Sequence, residues 1–140
     1  MSLALAEAES VLAAARGHAV SLGLDVAIAV LDARADDVLV VRMDGARYTA
    51  FEIARGKALV AATFGRSSAD MADMADSPVG RRADALNHGR MVFGRGAVPL
   101  IRADGRRAGA VGVSGALPEQ DEEIAAAGAA ALSRREGEPR

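Results

Sequence analysis

VPLIRADGRRAGAVGVSGALPEQDEEIAAAG, residues Val98 to Gly128, decides the fold. Val98 to Ile101 and Arg106 to Ser114 are rich in β-branched and small apolar residues and read as two strands, joined across the turn signal Ala103-Asp104-Gly105. Ser114-Gly115 then makes a tight corner. Pro118, followed by Glu119-Gln120-Asp121-Glu122-Glu123, opens a helix. Proline suits the first helical position, and carboxylates suit the positive end of the helix dipole. A hairpin that runs directly into a helix argues against a parallel sheet built from strand-helix-strand units.

The same grammar holds upstream. Val26 to Leu31 (VAIAVL) and Val38 to Met43 (VLVVRM) flank the polar turn DARADD and form a first hairpin. Residues 3–22 read as a helix with Leu5, Ala8, Leu12, Ala15, Ala19 and Leu22 on its apolar face, stopped by Gly23. Tyr48 to Phe64 is a second long helix, with Phe51, Ala54, Ala58 and Ala61 on one side. Ser67, with Asp70 three residues on, has the spacing of a capping box for a short helix that buries Met71 and Met74. Ser77-Pro78 starts another helix that ends near Asn87. The closing helix buries Ile124, Ala127, Ala131 and Leu132 and leaves 133–140 as a charged, frayed tail. Helix, hairpin, helices, hairpin, helix makes one α+β domain over 1–140, with its core at about 3–132. Its layers are an antiparallel sheet of four to five strands and the helices around it.

Composition narrows the function. The chain has 140 residues, of which 51% are hydrophobic, but only three Phe and one Tyr, so the core rests on Ala, Val, Leu and Ile. Seventeen basic residues against nineteen acidic give a net charge of −2, which leaves no electrostatic footprint for nucleic acid or an anionic membrane. There is no cysteine, hence no disulfide, thiolate metal site or cysteine nucleophile. No basic segment followed by an apolar core opens the chain, and no apolar run has the length of a membrane span, so a cytoplasmic location is expected. Gly112-Val113-Ser114-Gly115-Ala116 lacks the spacing of a nucleophile elbow, and there is no phosphate-binding glycine loop.

VRMDGARYTAFEIARGKALVAATFGRSS, followed by VPL and GAVGVSGALPEQDEEIA, resembles the GlcG/HbpS family of haem-binding-like proteins, a domain also found at the C-terminal end of PduO proteins. The resemblance runs from about Leu3 to Leu132. It implies a profilin-like fold and self-association into dimers up to octamers. Its members include haem binders, sensors and a few small-molecule enzymes, such as hydroxylaminobenzoate lyases and a lactone-forming cyclase. Two positions depart from the family pattern. Leu117 stands where a cap-forming Thr is common, which removes a cap oxygen worth about 1 kcal/mol. Gly94-Arg95-Gly96-Ala97 stands where Pro-Gly-Gly is common.

Four groups of residues are candidates for chemistry. Ser114, Gly115 and Leu117 form a corner for a ligand oxygen, with Glu119 or Asp121 handling a proton; acids at a helix start are also ordinary dipole partners. Arg42 is a fork for a carboxylate or haem propionate and shares a strand face with Asp44; an exposed ion pair explains them equally. Lys57, the single lysine, lies beside Ile53, Val60 and Phe64 on the second helix and is either a proton-transfer residue or a product of arginine-biased composition. His18 is the nearest axial donor for haem; His18 and His88 are otherwise ordinary residues near helix ends. The leading expectation is a small-molecule binder for haem or another planar or carboxylated ligand at a subunit interface. The alternatives are a lyase or isomerase using Glu119 or Lys57, and an oligomeric accessory protein without chemistry.

Overall fold

Each hairpin supplies two strands of a single antiparallel sheet, and their union puts the glycine corner at the sheet's centre. The structure is a computed structural model and describes residues 2–137. In chain order the elements are α1 (Leu5–Ser21), β1 (Ala27–Asp32), β2 (Asp37–Arg42), α2 (Tyr48–Phe64), a 3-10 segment (Ser68–Met74), α3 (Pro78–Leu86), β3 (Ala97–Ile101), β4 (Arg107–Ser114) and α4 (Pro118–Gly137). The strand order is β2-β1-β4-β3. The two hairpins join along β1 and β4, where Ala27 pairs with Ser114 and Ala29 with Gly112.

Alternation along the strands gives the sheet two unlike faces. Ile28, Val30, Val111, Val113 and Leu100 pack with Val11, Ile124 and Leu132 of α1 and α4. Ala27 and Ala29 pack instead with Ala54, Ala58 and Val60 of α2. Small residues there bring α2 almost onto the backbone of β4: a Cβ on Gly112 would strike the Ala54 carbonyl and come within 2.8 Å of the Ala58 nitrogen. The alanine-rich composition therefore serves close approach.

The structure departs from the sequence expectation at three places. In α1 the buried stripe is Ala8, Val11, Ala15 and Ala19, while Leu5 and Leu22 are exposed. The stripe is turned because α4 crosses closely at Gly128, where an added Cβ would lie 3.0 Å from the Val11 carbonyl oxygen and 3.2 Å from the Ala15 Cβ. The capping box at Ser67 does not form; the segment is 3-10, and Ser68 is buried instead, accepting the Ala97 N–H at 2.9 Å. Ser77, by contrast, caps α3 by accepting the Gly80 N–H at 2.9 Å. Finally, α4 continues through Gly137 instead of fraying after Leu132. Glu136 accepts hydrogen bonds from Arg102 (3.0 Å) and from the Ala103 N–H (2.6 Å), which ties the helix end to the β3–β4 hairpin. Residues 138–140 of the expected tail lie outside the described residues. Among the described residues no helix is long and apolar enough to cross a membrane.

Candidate functional site

β4 ends at Ser114, and Gly115 turns the chain at φ +128°, a conformation that favours glycine. An added Cβ there would also lie 3.1 Å from the Asp25 carbonyl oxygen. The chain then enters α4. Leu117 has no oxygen to cap the helix, so residues inside α4 reach back. Gln120 Oε1 accepts the Leu117 N–H at 3.2 Å, and Asp121 Oδ1 accepts the Ala116 N–H at 3.0 Å. These bonds fix the corner ahead of α4 without capping the helix's own first N–H groups.

Across from this corner lies the start of α2. Between them is an open cleft of about 470 Å³, lined by Arg47, Thr49, Ala50 and Ile53 on one side and by Ser114, Gly115, Ala116, Leu117 and Gln120 on the other. Ser114 is 7% exposed, and its hydroxyl has no hydrogen-bond partner among the described residues. Leu117 is 63% exposed and forms a rim without closing the opening.

Lys57 and Asp121 meet behind the cleft wall. Lys57 Nζ lies 3.2 Å from Asp121 Oδ2 and donates to the Val113 carbonyl, also at 3.2 Å. Both side chains are buried. Lys57 reaches Asp121 beneath Gly96, whose φ is +143° and whose missing Cβ would lie 2.7 Å from Lys57 Nζ. The glycine at this point of the Gly94-Arg95-Gly96-Ala97 loop is set by that passage. Burial pushes the Asp121 carboxyl above its usual range, against the opposing pull of Lys57 and of the Ala116 N–H.

The corner thus brings together Ser114, Gly115 and Leu117 at the cleft, with Lys57 and Asp121 directly behind it. The remaining sequence candidates lie elsewhere. Glu119 is exposed, 3.9 Å from Arg95, which also binds Glu122 at 2.8 Å. Arg42 donates to the Ala46 carbonyl at 2.8 Å and, with Asp44, lines a separate depression beside Arg16 and Asp25. His18 Nε2 is 2.7 Å from Glu123 Oε2, between α1 and α4. His88 is exposed, at φ +59°, after α3. Among the described residues no group of three His, Asp or Glu is placed to hold a metal ion. Sequence reasoning missed Arg47 and Thr49. Their signal was a helix start without an acidic residue in its first turn, preceded by an arginine.

Comparison with known proteins places this geometry. The family described as haem-degrading protein HbpS-like matches residues 3–130. The chain belongs to the HbpS-like family. A Citrobacter freundii relative, an uncharacterized 15.0 kDa protein from the dhaT-dhaS intergenic region, is 30% identical over 125 residues, 89% of this chain and 87% of its own. The crystal structure of the Klebsiella pneumoniae protein ORFY, of family DUF336, superposes with a TM-score of 0.83 at 26% identity, covering 93% of this chain and 90% of that one. A crystal structure of a PduOC:haem complex superposes with a TM-score of 0.81 at 27% identity, over 94% and 95%. The HbpS-like fold is therefore α+β, a four-stranded antiparallel sheet flanked by helices, as the strand pattern implied.

Proposed function

We propose that this HbpS-like chain is a small-molecule-binding protein whose ligand occupies the cleft between the β4–α4 corner and the start of α2. The observation that carries the reading is Ser114, a residue 7% exposed whose hydroxyl has no partner among the described residues, on the wall of an open cleft. The hydroxyl reaches the open side of the cleft, where a ligand oxygen can bond it. The exposed rim residue Leu117, with the exposed Tyr48 at the start of α2, supports completion of the site by a second copy of the chain. Native mass spectrometry of the purified protein tests both parts: a co-purifying small molecule lost in Leu117→Arg is expected. Equal ligand content in that variant overturns the placement.

Haem is a candidate for a separate place, outside the cleft, because a relative of the same fold was solved as a haem complex. The cleft itself offers no imidazole or thioether. The residue that would hold the iron is His18, with a side chain 33% exposed and one ring nitrogen held by Glu123. A carboxylate on one nitrogen orients a metal-binding imidazole through the other. Bound haem would supply its iron redox chemistry there. Haemin titration of the wild type and His18→Ala tests this: a Soret shift confined to the wild type is expected. No shift at micromolar protein removes haem and leaves the cleft reading standing.

The buried Lys57–Asp121 pair favours a second reading, an enzyme acting on a compact acid by proton transfer. Wild-type turnover of hydroxy-acid or hydroxylamino-aromatic substrates that is unaffected by both Lys57→Met and Glu119→Gln would sink those residue assignments, and no turnover at all would sink the enzyme reading.

A further inference from the structure

We infer that the cleft is an oxyanion clamp built from two helix N-termini, and that its ligand is a compact carboxylic acid with an apolar body. The inference rests on the cleft being the binding site and names the chemistry it selects. α2 begins at the N-cap Arg47, with no side-chain cap and no acidic residue in its first turn. α4 begins at Pro118, and Leu117 before it has no capping oxygen. The opening turns of both helices line the same cleft, through Arg47, Thr49 and Ala50 on one side and Leu117 and Gln120 on the other. The backbone N–H groups of Thr49 and Gln120 have no acceptor among the described residues. Orphan N–H groups of two helix starts therefore face one space, with the positive end of α2 uncompensated and that of α4 offset by Glu119 and Asp121 in its first turn.

The Ser114 hydroxyl is a separate indication of a ligand. It is 7% exposed, unpartnered, and on the cleft wall, where it can donate to an anion. Arg47 adds a formal positive charge; its guanidinium makes no ion pair or hydrogen bond among the described residues. No carboxylate lines the cleft. The nearest acids point away: Glu119 towards Arg95, and Asp121 back to Lys57 and the Ala116 N–H. The other depression, at Arg42, mixes Arg16 and Arg42 with Asp25 and Asp44 and carries no such bias. Beside the polar grip stand Ala50, Ile53, Ala116 and Leu117, an apolar wall for the body of the acid. A fully hydrated anion such as phosphate gains nothing from that wall, which favours the carboxylic acid.

Amide-resolved NMR titration with hexanoate, hexanamide and inorganic phosphate tests the clamp. Hexanoate is expected to shift the Thr49, Ser114, Gly115 and Gln120 amides. Hexanamide and phosphate should each bind at least about tenfold more weakly, and Arg47→Gln should weaken hexanoate about tenfold while leaving hexanamide unchanged. Ser114→Ala, which removes no hydrogen bond of the fold, should weaken hexanoate as well. Hexanamide shifting the same amides with equal affinity overturns the clamp but keeps the cleft as a binding site. Phosphate binding more tightly than hexanoate overturns the carboxylic acid. Cleft amides unmoved by all three overturn clamp and cleft together.

Discussion

The two ends of α4 carry similar charges in opposite circumstances. At its C-terminal end Glu136 joins Glu7 of α1 on the guanidinium of Arg102, at 3.0 and 2.8 Å, at the margin of the fold. At its N-terminal end Asp121 meets Lys57 in the interior. The Arg102 cluster holds Glu7 well below the usual carboxylate range, at about 2, chiefly through the hydrogen bond from Arg102. Burial moves Asp121 the other way. An ion pair that keeps some solvent and a planar fork of donors stabilises its carboxylate; a buried pair on a single ammonium leaves its carboxylate under strain from desolvation. The first arrangement fastens α1, α4 and the β3–β4 hairpin to one another. The second fixes the wall of a cleft, because Asp121 also holds the Ala116 N–H.

Four changes break or sharpen this contrast. Arg102→Met has the largest effect, because it leaves Glu7 and Glu136 without the guanidinium that binds both. It should cost about 3 kcal/mol and lower the melting temperature by about 10 °C in thermal denaturation, with hexanoate binding unchanged. Lys57→Met comes next, at about 2 kcal/mol by urea denaturation. Its cost should grow as pH rises, because Asp121 is then ionised in the interior without its partner, and shrink in acid, where the carboxyl is protonated. A pH-independent cost would show that the pair acts through packing alone.

Glu7→Gln is smaller; its cost also grows as pH rises, although the Glu7 carboxyl is shifted down where Asp121 is shifted up. The folded carboxyl titrates at about 2, below its ordinary 4.5, so its stabilisation is complete above pH 4.5 and is lost as pH falls towards 2. The variant should be less stable by about 1–2 kcal/mol at pH 7, discounted for partial exposure, and equal to the wild type below pH 2. Ser114→Ala should have the smallest effect on stability, within about 0.5 kcal/mol, since no protein hydrogen bond is lost. A larger loss in the ligand-free protein would mean that Ser114 supports the fold and not the ligand.

Lys57 and Asp121 show how much of the site the sequence carried. Each was conspicuous alone, one as the single lysine and the other in an acidic helix start. Their union was not, because 64 residues separate them and the path passes under Gly96, which reads in sequence as a loop glycine. Strand alternation put Arg42 and Asp44 on one face, and both line one depression, but β2 ends at Arg42 and the 43–46 turn takes the guanidinium for its own carbonyl. Leu117 looked like a lost cap; Gln120 and Asp121 reach back to the Leu117 and Ala116 N–H groups, but the Gln120 N–H that a cap oxygen would take stays open.

The sequence by itself determined the elements, their order and the antiparallel hairpins, because period, turn residues and helix starts are local properties written within a few positions. It also set the two unlike sheet faces, through alternation of alanine with valine and isoleucine. Only the tertiary structure decided which carboxylate meets which cation, and that two helix starts face one cleft. Those facts depend on how α2 and α4 pack on opposite faces of the sheet, at sequence separations where no local pattern constrains distance.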